Sequence, residues 1–133
     1  MKAEERLEKI GKLLEKLKDG WIFVEGKRDK EALTAFGFDK ILTISGNLRL
    51  SCDKLSVGPV EKVYVLTDLD RRGDELAKMA RDELESRSIR ADIELRTILA
   101  HMLRIRCFED ARRAYDKIKE EYEEGPKAPF RRG

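Results

Sequence analysis

Two hydrophobic periods alternate along the chain. Within residues 3–18, Leu7, Ile10, Leu14 and Leu17 recur at helical spacing with charge between them, which predicts one amphipathic helix. Asp19-Gly20 closes it, with Gly20 expected as a left-handed cap. The pattern then changes to short continuous runs rich in β-formers. Residues 21–25 (WIFVE), 40–44 (KILTI) and 62–67 (KVYVLT) predict three buried strands, and 89–91 (IRA) a brief fourth. Helical spacing returns between them. Ala32, Leu33 and Phe36 form one inner face, stopped by Gly37, and Leu76, Met79, Ala80 and Leu84 another over 71–88. A short helix is expected near 48–56. From about 93, Leu95, Ile98, Leu99, Met102 and Leu103 read as helix, although strand and helix periods overlap as far as Leu95. Phe108, Ala111, Tyr115, Ile118 and Tyr122 form the stripe of a last helix.

Short apolar strands separated by helices imply a parallel sheet covered on both faces, with right-handed crossovers. The expected fold class is therefore α/β: a single domain with a central four-stranded parallel sheet, flanked by N- and C-terminal helices. Residues 1–19 form a helix packing on the core, 20–100 the core itself, and 101–124 a helical extension. Residues 125–133, with two prolines and a basic end, are expected as a mobile tail.

A length of 133 residues suits one domain with a real core. Lys+Arg total 29 and Asp+Glu 27, a net charge of +2. That balance excludes a global attraction to nucleic acid or membrane, so any polyanion contact must come from local clusters. Cys52 and Cys107 form no metal-binding spacing and read as small buried hydrophobes in a reducing cytosol. The N-terminus shows no signal-peptide pattern and no stretch suits a bilayer, so a soluble cytoplasmic protein with no membrane partner is expected.

The chemistry gathers at the strand ends. The first strand runs into Glu25-Gly26, the second into Ser45-Gly46-Asn47, the third into Asp68-Leu69-Asp70, and the fourth towards Asp92. In an open parallel sheet, ligands bind beyond the carboxyl ends of the strands, where the strand order reverses. Asp68 and Asp70 share a side if the chain stays extended, with Leu69 turned to the core. If the first and third strands are neighbours, Glu25 faces that pair. Converging carboxylates repel unless a cation or proton intervenes, and an all-oxygen set selects a hard ion, Mg2+ or Mn2+. Gly26 leaves room for backbone to approach a ligand, and Gly73 opens the helix after the third strand, where amide groups favour an anion. Lys27, Arg28, Arg71 and Arg72 on the same loops are candidate phosphate contacts. Each acid taken singly has a plainer reading: Asp70 as a helix cap, Asp29 in a first helical turn. Arg71 and Arg72 equally fit a solvated surface, and Ser45 and Asn47 a simple turn. His101 reads as a partly buried helix residue and Trp21 as packing.

The stretches VEGKRDKEAL (24–33) and VLTDLDRRGDELA (65–77) together resemble the Toprim domain, marked by Glu-Gly after the first strand and Asp-x-Asp after the third. The resemblance spans roughly 20–100, and the whole chain is similar to small stand-alone Toprim proteins of archaea and bacteria. It implies a Rossmann-like Toprim core in which Glu25 is a general acid/base and shared metal ligand, and Asp68 and Asp70 bind Mg2+. Asp29 and Asp74 match further acids of the family, while Asp92 is left open. The chain departs from the family's larger members. Leu69 stands where relatives often have a small residue or proline. Tyr64, Tyr115 and Tyr122 lie on apolar positions unsuited to a topoisomerase nucleophile, and no primase template module is visible. The resemblance therefore implies Mg2+-dependent phosphodiester chemistry on RNA or DNA, as in a small nuclease. The alternatives are a non-catalytic, metal-dependent module that docks nucleic acid or a partner, and a structural dimer with an inert site. A homodimer or a larger nucleic-acid-processing complex fits any of these.

Overall fold

The computed structural model describes residues 1–44 and 46–125. Ser45 and residues 126–133 of the expected 125–133 tail lie outside the described residues. Helix α1 (Ala3–Lys16) ends in a 3₁₀ turn at Leu17–Asp19 and leads into β1 (Trp21–Val24). There follow α2 (Lys27–Thr34), β2 (Ile41–Thr43), α3 (Leu48–Ser56), β3 (Lys62–Leu66), α4 (Arg71–Glu85), β4 (Arg90–Asp92) and α5 (Leu95–Leu103). A second 3₁₀ turn, Phe108–Asp110, precedes α6 (Ala111–Glu124).

The four strands form one parallel sheet in the order β2-β1-β3-β4. The chain winds outward from β1 to β2 on one side, then returns to build β3 and β4 on the other. The reversal therefore falls between β1 and β3, whose carboxyl ends are paired at Val24 and Leu66. Glu25 and Asp68 follow those two strands.

Strand alternation divides the core in two. Ile22, Val24, Tyr64 and Leu66 face a cluster built with Ile10, Leu17, Leu33, Leu99, Leu103, Phe108 and Ile118. Phe23, Val63 and Val65 face Cys52, Leu55, Ala77, Ala80 and Leu84. Helices α1, α5 and α6 thus cover one face, and α3 and α4 the other, as expected of short strands buried on both sides.

Several expected inward positions are displaced. Met79, Ile98 and Tyr122 are half-exposed, whereas Gly73, Ala77, Ala80 and Leu84 carry the buried face of α4. The small residues let that helix approach the sheet closely, so apolar size misjudges which face is inside. Gly20 is not a left-handed cap: its backbone is extended, at φ −155° and ψ −171°. A Cβ there would stand 2.5 Å from the Lys62 carbonyl oxygen, so close approach to the start of β3 calls for glycine. His101 is exposed. Gly37, at φ +96°, does stop α2 as expected.

Candidate functional site

Glu25 leaves β1 at the reversal, and its Oε2 accepts a hydrogen bond from the Asp68 amide at 2.7 Å. The two halves of the sequence pattern are thus joined directly, across the crevice between β1 and β3. Asp29 lies in the first turn of α2, where it is buried and its Oδ2 accepts from the Gly26 amide at 3.0 Å. Burial, then the neighbouring charges of Glu25 and Glu109, push the Asp29 carboxyl above its ordinary value against that hydrogen bond.

Across the crevice, Asp70 caps α4. Its Oδ1 accepts from the Gly73 amide at 2.6 Å. The capping roles open to Asp70 and Asp29 as single acids are both present in the geometry. Gly73 is forced to be glycine: a Cβ there would lie 1.8 Å from the Asp68 carbonyl oxygen. The Gly73 carbonyl in turn accepts from the buried Thr67 hydroxyl at 2.7 Å. The loop from Thr67 to Gly73 is therefore folded tightly onto itself. Leu69 packs on the core, as the alternation predicts.

Asp68 stands apart from the other acids. Its Oδ1 is buried and has no hydrogen-bond partner. Desolvation first, then the charges of Glu25, Asp29 and Asp70, push its carboxyl up to about 6. A buried carboxylate oxygen with no donor, surrounded by other acids, is unfavourable by itself. A divalent cation would satisfy both the empty lone pairs and the excess negative charge, so the donor chemistry fits Mg2+ or Mn2+. The other acids already hold backbone amides, and among the described residues no three His, Cys, Asp or Glu side chains stand together as a ready metal cage. Asp68 is the open donor. Glu25 and Asp70 are the candidates to join it, each by releasing one carboxylate oxygen or using its second.

The remaining candidates are distributed as follows. Asp74 is half-exposed and paired with Arg96. Asp92 Oδ1 caps α5 through the Glu94 and Leu95 amides, each at 2.9 Å. It is paired in register with Tyr64, well short of the end of β3, and so stands apart from the crevice. Lys27, Arg28, Arg71 and Arg72 are exposed on the first turns of α2 and α4, flanking the crevice. Arg71 is paired with Glu75 at 3.5 Å. Asn47 caps α3 through the Leu50 amide at 3.0 Å.

The segment that follows α5 closes the far wall, and sequence reasoning missed it. The Arg106 carbonyl accepts from the Leu69 amide at 2.7 Å. Cys107 is half-buried, not a core hydrophobe: its thiol lies beside the Asp68 carboxylate and bears on its charge. Burial, followed by the charges of Asp68, Asp110 and Glu109, pushes that thiol up to about 11, so it stays protonated. Cys52 is buried, as expected. Nothing local in the sequence brings Cys107 to Asp68, because only the packing of α5 and α6 on the sheet does so.

Comparison with known proteins agrees with this fold. The Toprim domain matches residues 21–96, more than half of the chain. The chain belongs to the Toprim domain family. Curated relatives are small archaeal proteins of similar length. UPF0292 protein MJ1624 of Methanocaldococcus jannaschii is 36% identical over 72% of this chain and 80% of its own. UPF0292 protein PYRAB04740 of Pyrococcus abyssi is 34% identical over 80% and 83%. Among solved structures, a protein from Aquifex aeolicus superposes with a TM-score of 0.65 at 28% identity, covering 75% of this chain and 95% of that one. Toprim membership brings with it metal-dependent, nucleic-acid-related function, and Toprim domains typically bind Mg2+. Among the described residues, no helix is long and apolar enough to cross a membrane.

Proposed function

We propose that this Toprim protein is a small Mg2+-dependent nuclease that cleaves phosphodiester bonds in RNA or DNA. The observation that carries the reading is the buried, unpartnered Oδ1 of Asp68, set among Glu25, Asp29 and Asp70 at the reversal of the sheet. Asp68 and Asp70 would hold the cation, with Glu25 sharing it through the oxygen not given to the Asp68 amide. When bound, the ion would supply Lewis-acid stabilisation of charge on the phosphodiester oxygens. Glu25, held against β3 by its hydrogen bond, is placed to move a proton to or from the reacting group. Lys27, Arg28 and Arg72, exposed and without ion pairs among the described residues, would position flanking phosphates. Water is the nucleophile in this scheme, since Tyr64 is fully buried and Tyr115 packs against Phe36.

A second reading is a docking module that uses the same cation to hold a nucleic-acid end without cutting it. It is favoured by the structural engagement of the other acids: Asp70 and Asp29 are helix-capping groups, and Glu25 is tied to a backbone amide. The two separate in one assay. Labelled single-stranded, double-stranded and structured RNA and DNA are incubated with protein and with Mg2+, Mn2+ or neither. Metal-dependent cleavage that disappears in Asp68→Asn supports the nuclease. Metal-dependent binding with intact substrate under every condition overturns it in favour of the docking module.

A further inference from the structure

Arg96 is buried, at 4% exposure, on the same stripe of α5 as Leu99, Ala100 and Leu103. A guanidinium in such a place is costly unless its donors are taken. Its Nε donates to the Thr67 carbonyl at 2.8 Å and its Nη2 to the Asp68 carbonyl at 2.7 Å, and Nη2 also donates to Asp74 Oδ1. Its partners are therefore not scattered core groups. Two are consecutive carbonyls at the end of β3, and the third is the acid just after Gly73. One side chain from α5 grips both ends of the loop that carries Asp68 and Asp70. No carboxylate of the crevice itself is among those partners, so the guanidinium braces the loop from behind without filling the place of the cation. An apolar residue would pack on the same stripe but would leave the two carbonyls without this donor.

We propose that Arg96 is a positioning residue, fixing the backbone from Thr67 to Asp74 so that Asp68 and Asp70 face the crevice. The consequence for metal binding rests on the reading of the crevice as a cation site; the bracing of the loop does not. The test compares wild type, Arg96→Met, Arg96→Lys, Asp74→Asn and Leu103→Ala. The last is a destabilising change on the same helix, at an apolar side chain that makes no hydrogen bond to the loop. Mn2+ affinity is read from the paramagnetic resonance of the free ion, and amide hydrogen exchange of residues 68–73 is measured on metal-free protein. Arg96→Met should weaken Mn2+ binding by about 10–100-fold. It should also speed exchange across 68–73 beyond the general increase seen in Leu103→Ala. Arg96→Lys keeps the charge without the fork and should recover part of the affinity. Asp74→Asn, on a half-exposed partner, should show a smaller loss. Mn2+ affinity in Arg96→Met within about twofold of wild type overturns the proposal, as does an equal loss in Leu103→Ala. Should Arg96→Met fail to fold, Arg96→Lys and Asp74→Asn decide by the same criteria. If wild type binds no Mn2+, the cation reading fails separately. Exchange across 68–73 then settles the bracing, and unchanged exchange overturns it.

Discussion

The two strand–helix junctions of the crevice share one plan and differ in what they leave undone. After β1, Glu25 and Asp29 both spend oxygens on backbone amides. Gly26 there is loosely surrounded: an added Cβ would meet only the Asp29 carboxylate at 3.9 Å. After β3, Gly73 is pressed against the Asp68 backbone, and Asp70 is engaged as a cap. Yet Asp68, held by that rigid loop, keeps a buried oxygen without a partner. The acids of the first junction are hydrogen-bonded, and its glycine is sterically open. The second is sterically closed and electrostatically unfinished. A rigid mount for an unsatisfied acid, facing an open ledge, is what a cation with a bulky phosphate substrate requires.

The steric half of this contrast should give the largest effect. Gly73→Ala places a methyl at 1.8 Å from a backbone oxygen and must displace the loop or the first turn of α4. A loss of about 3 kcal/mol or more is expected in urea unfolding. Equal tolerance at Gly73 and Gly26 would break the comparison.

Cation binding comes next. Mg2+ at about tenfold excess over its Kd should stabilise the folded protein by about 1.4 kcal/mol. Chelation should remove that gain, and Asp68→Asn should never show it. Thermal melts with and without Mg2+ read both.

The electrostatic half predicts a pH signature. In the metal-free fold the Asp68 carboxyl is raised from 3.8 to about 6, so between those values the folded state keeps a proton that the unfolded chain has released. Stability should therefore fall as pH rises through this window. Because Asp68 is only partly buried, solvent screening limits the effect to the order of 1 kcal/mol. Subtracting Asp68→Asn melts from wild type between pH 4 and 7 isolates this contribution, and adding Mg2+ should reverse its sign. A wild-type minus Asp68→Asn difference that is flat over the window would contradict the assignment.

The smallest effect belongs to the open junction. Gly26→Ala should cost about 0.5–1 kcal/mol, the difference between glycine and alanine at a helix N-cap. If it nevertheless abolishes metal-dependent binding or cleavage of nucleic acid while Mg2+ still binds, the open ledge is where substrate passes.

Much of this was legible in the sequence because it is local. Continuous β-forming runs marked the strands, and the first and third ended where Glu25 and Asp68 begin. Glu25 and Asp68 could be paired once β1 and β3 were taken as neighbours, which the observed strand order makes them. The elements that were misread depend on contacts between distant segments. Met79, Ile98 and Tyr122 are apolar at the right period yet half-exposed; on α4, small residues such as Gly73 and Ala77 take the buried face instead of Met79. Arg96 was not among the sequence candidates, although its spacing to Leu99 and Leu103 places it on the buried stripe. Cys107 meets Asp68 only because α5 and α6 fold back over the sheet, a contact that no local pattern encodes.

The central claim is that the crevice between β1 and β3 holds a divalent cation on Asp68. Mn2+ titrated into isotope-labelled protein tests it most directly, by paramagnetic broadening of backbone amide resonances. The account predicts that residues 25–29 and 67–74 broaden first, together with Cys107, and that Asp68→Asn abolishes the selectivity. Broadening centred instead on exposed acidic surface such as Glu120 and Glu123 of α6, or unchanged in Asp68→Asn, would contradict it.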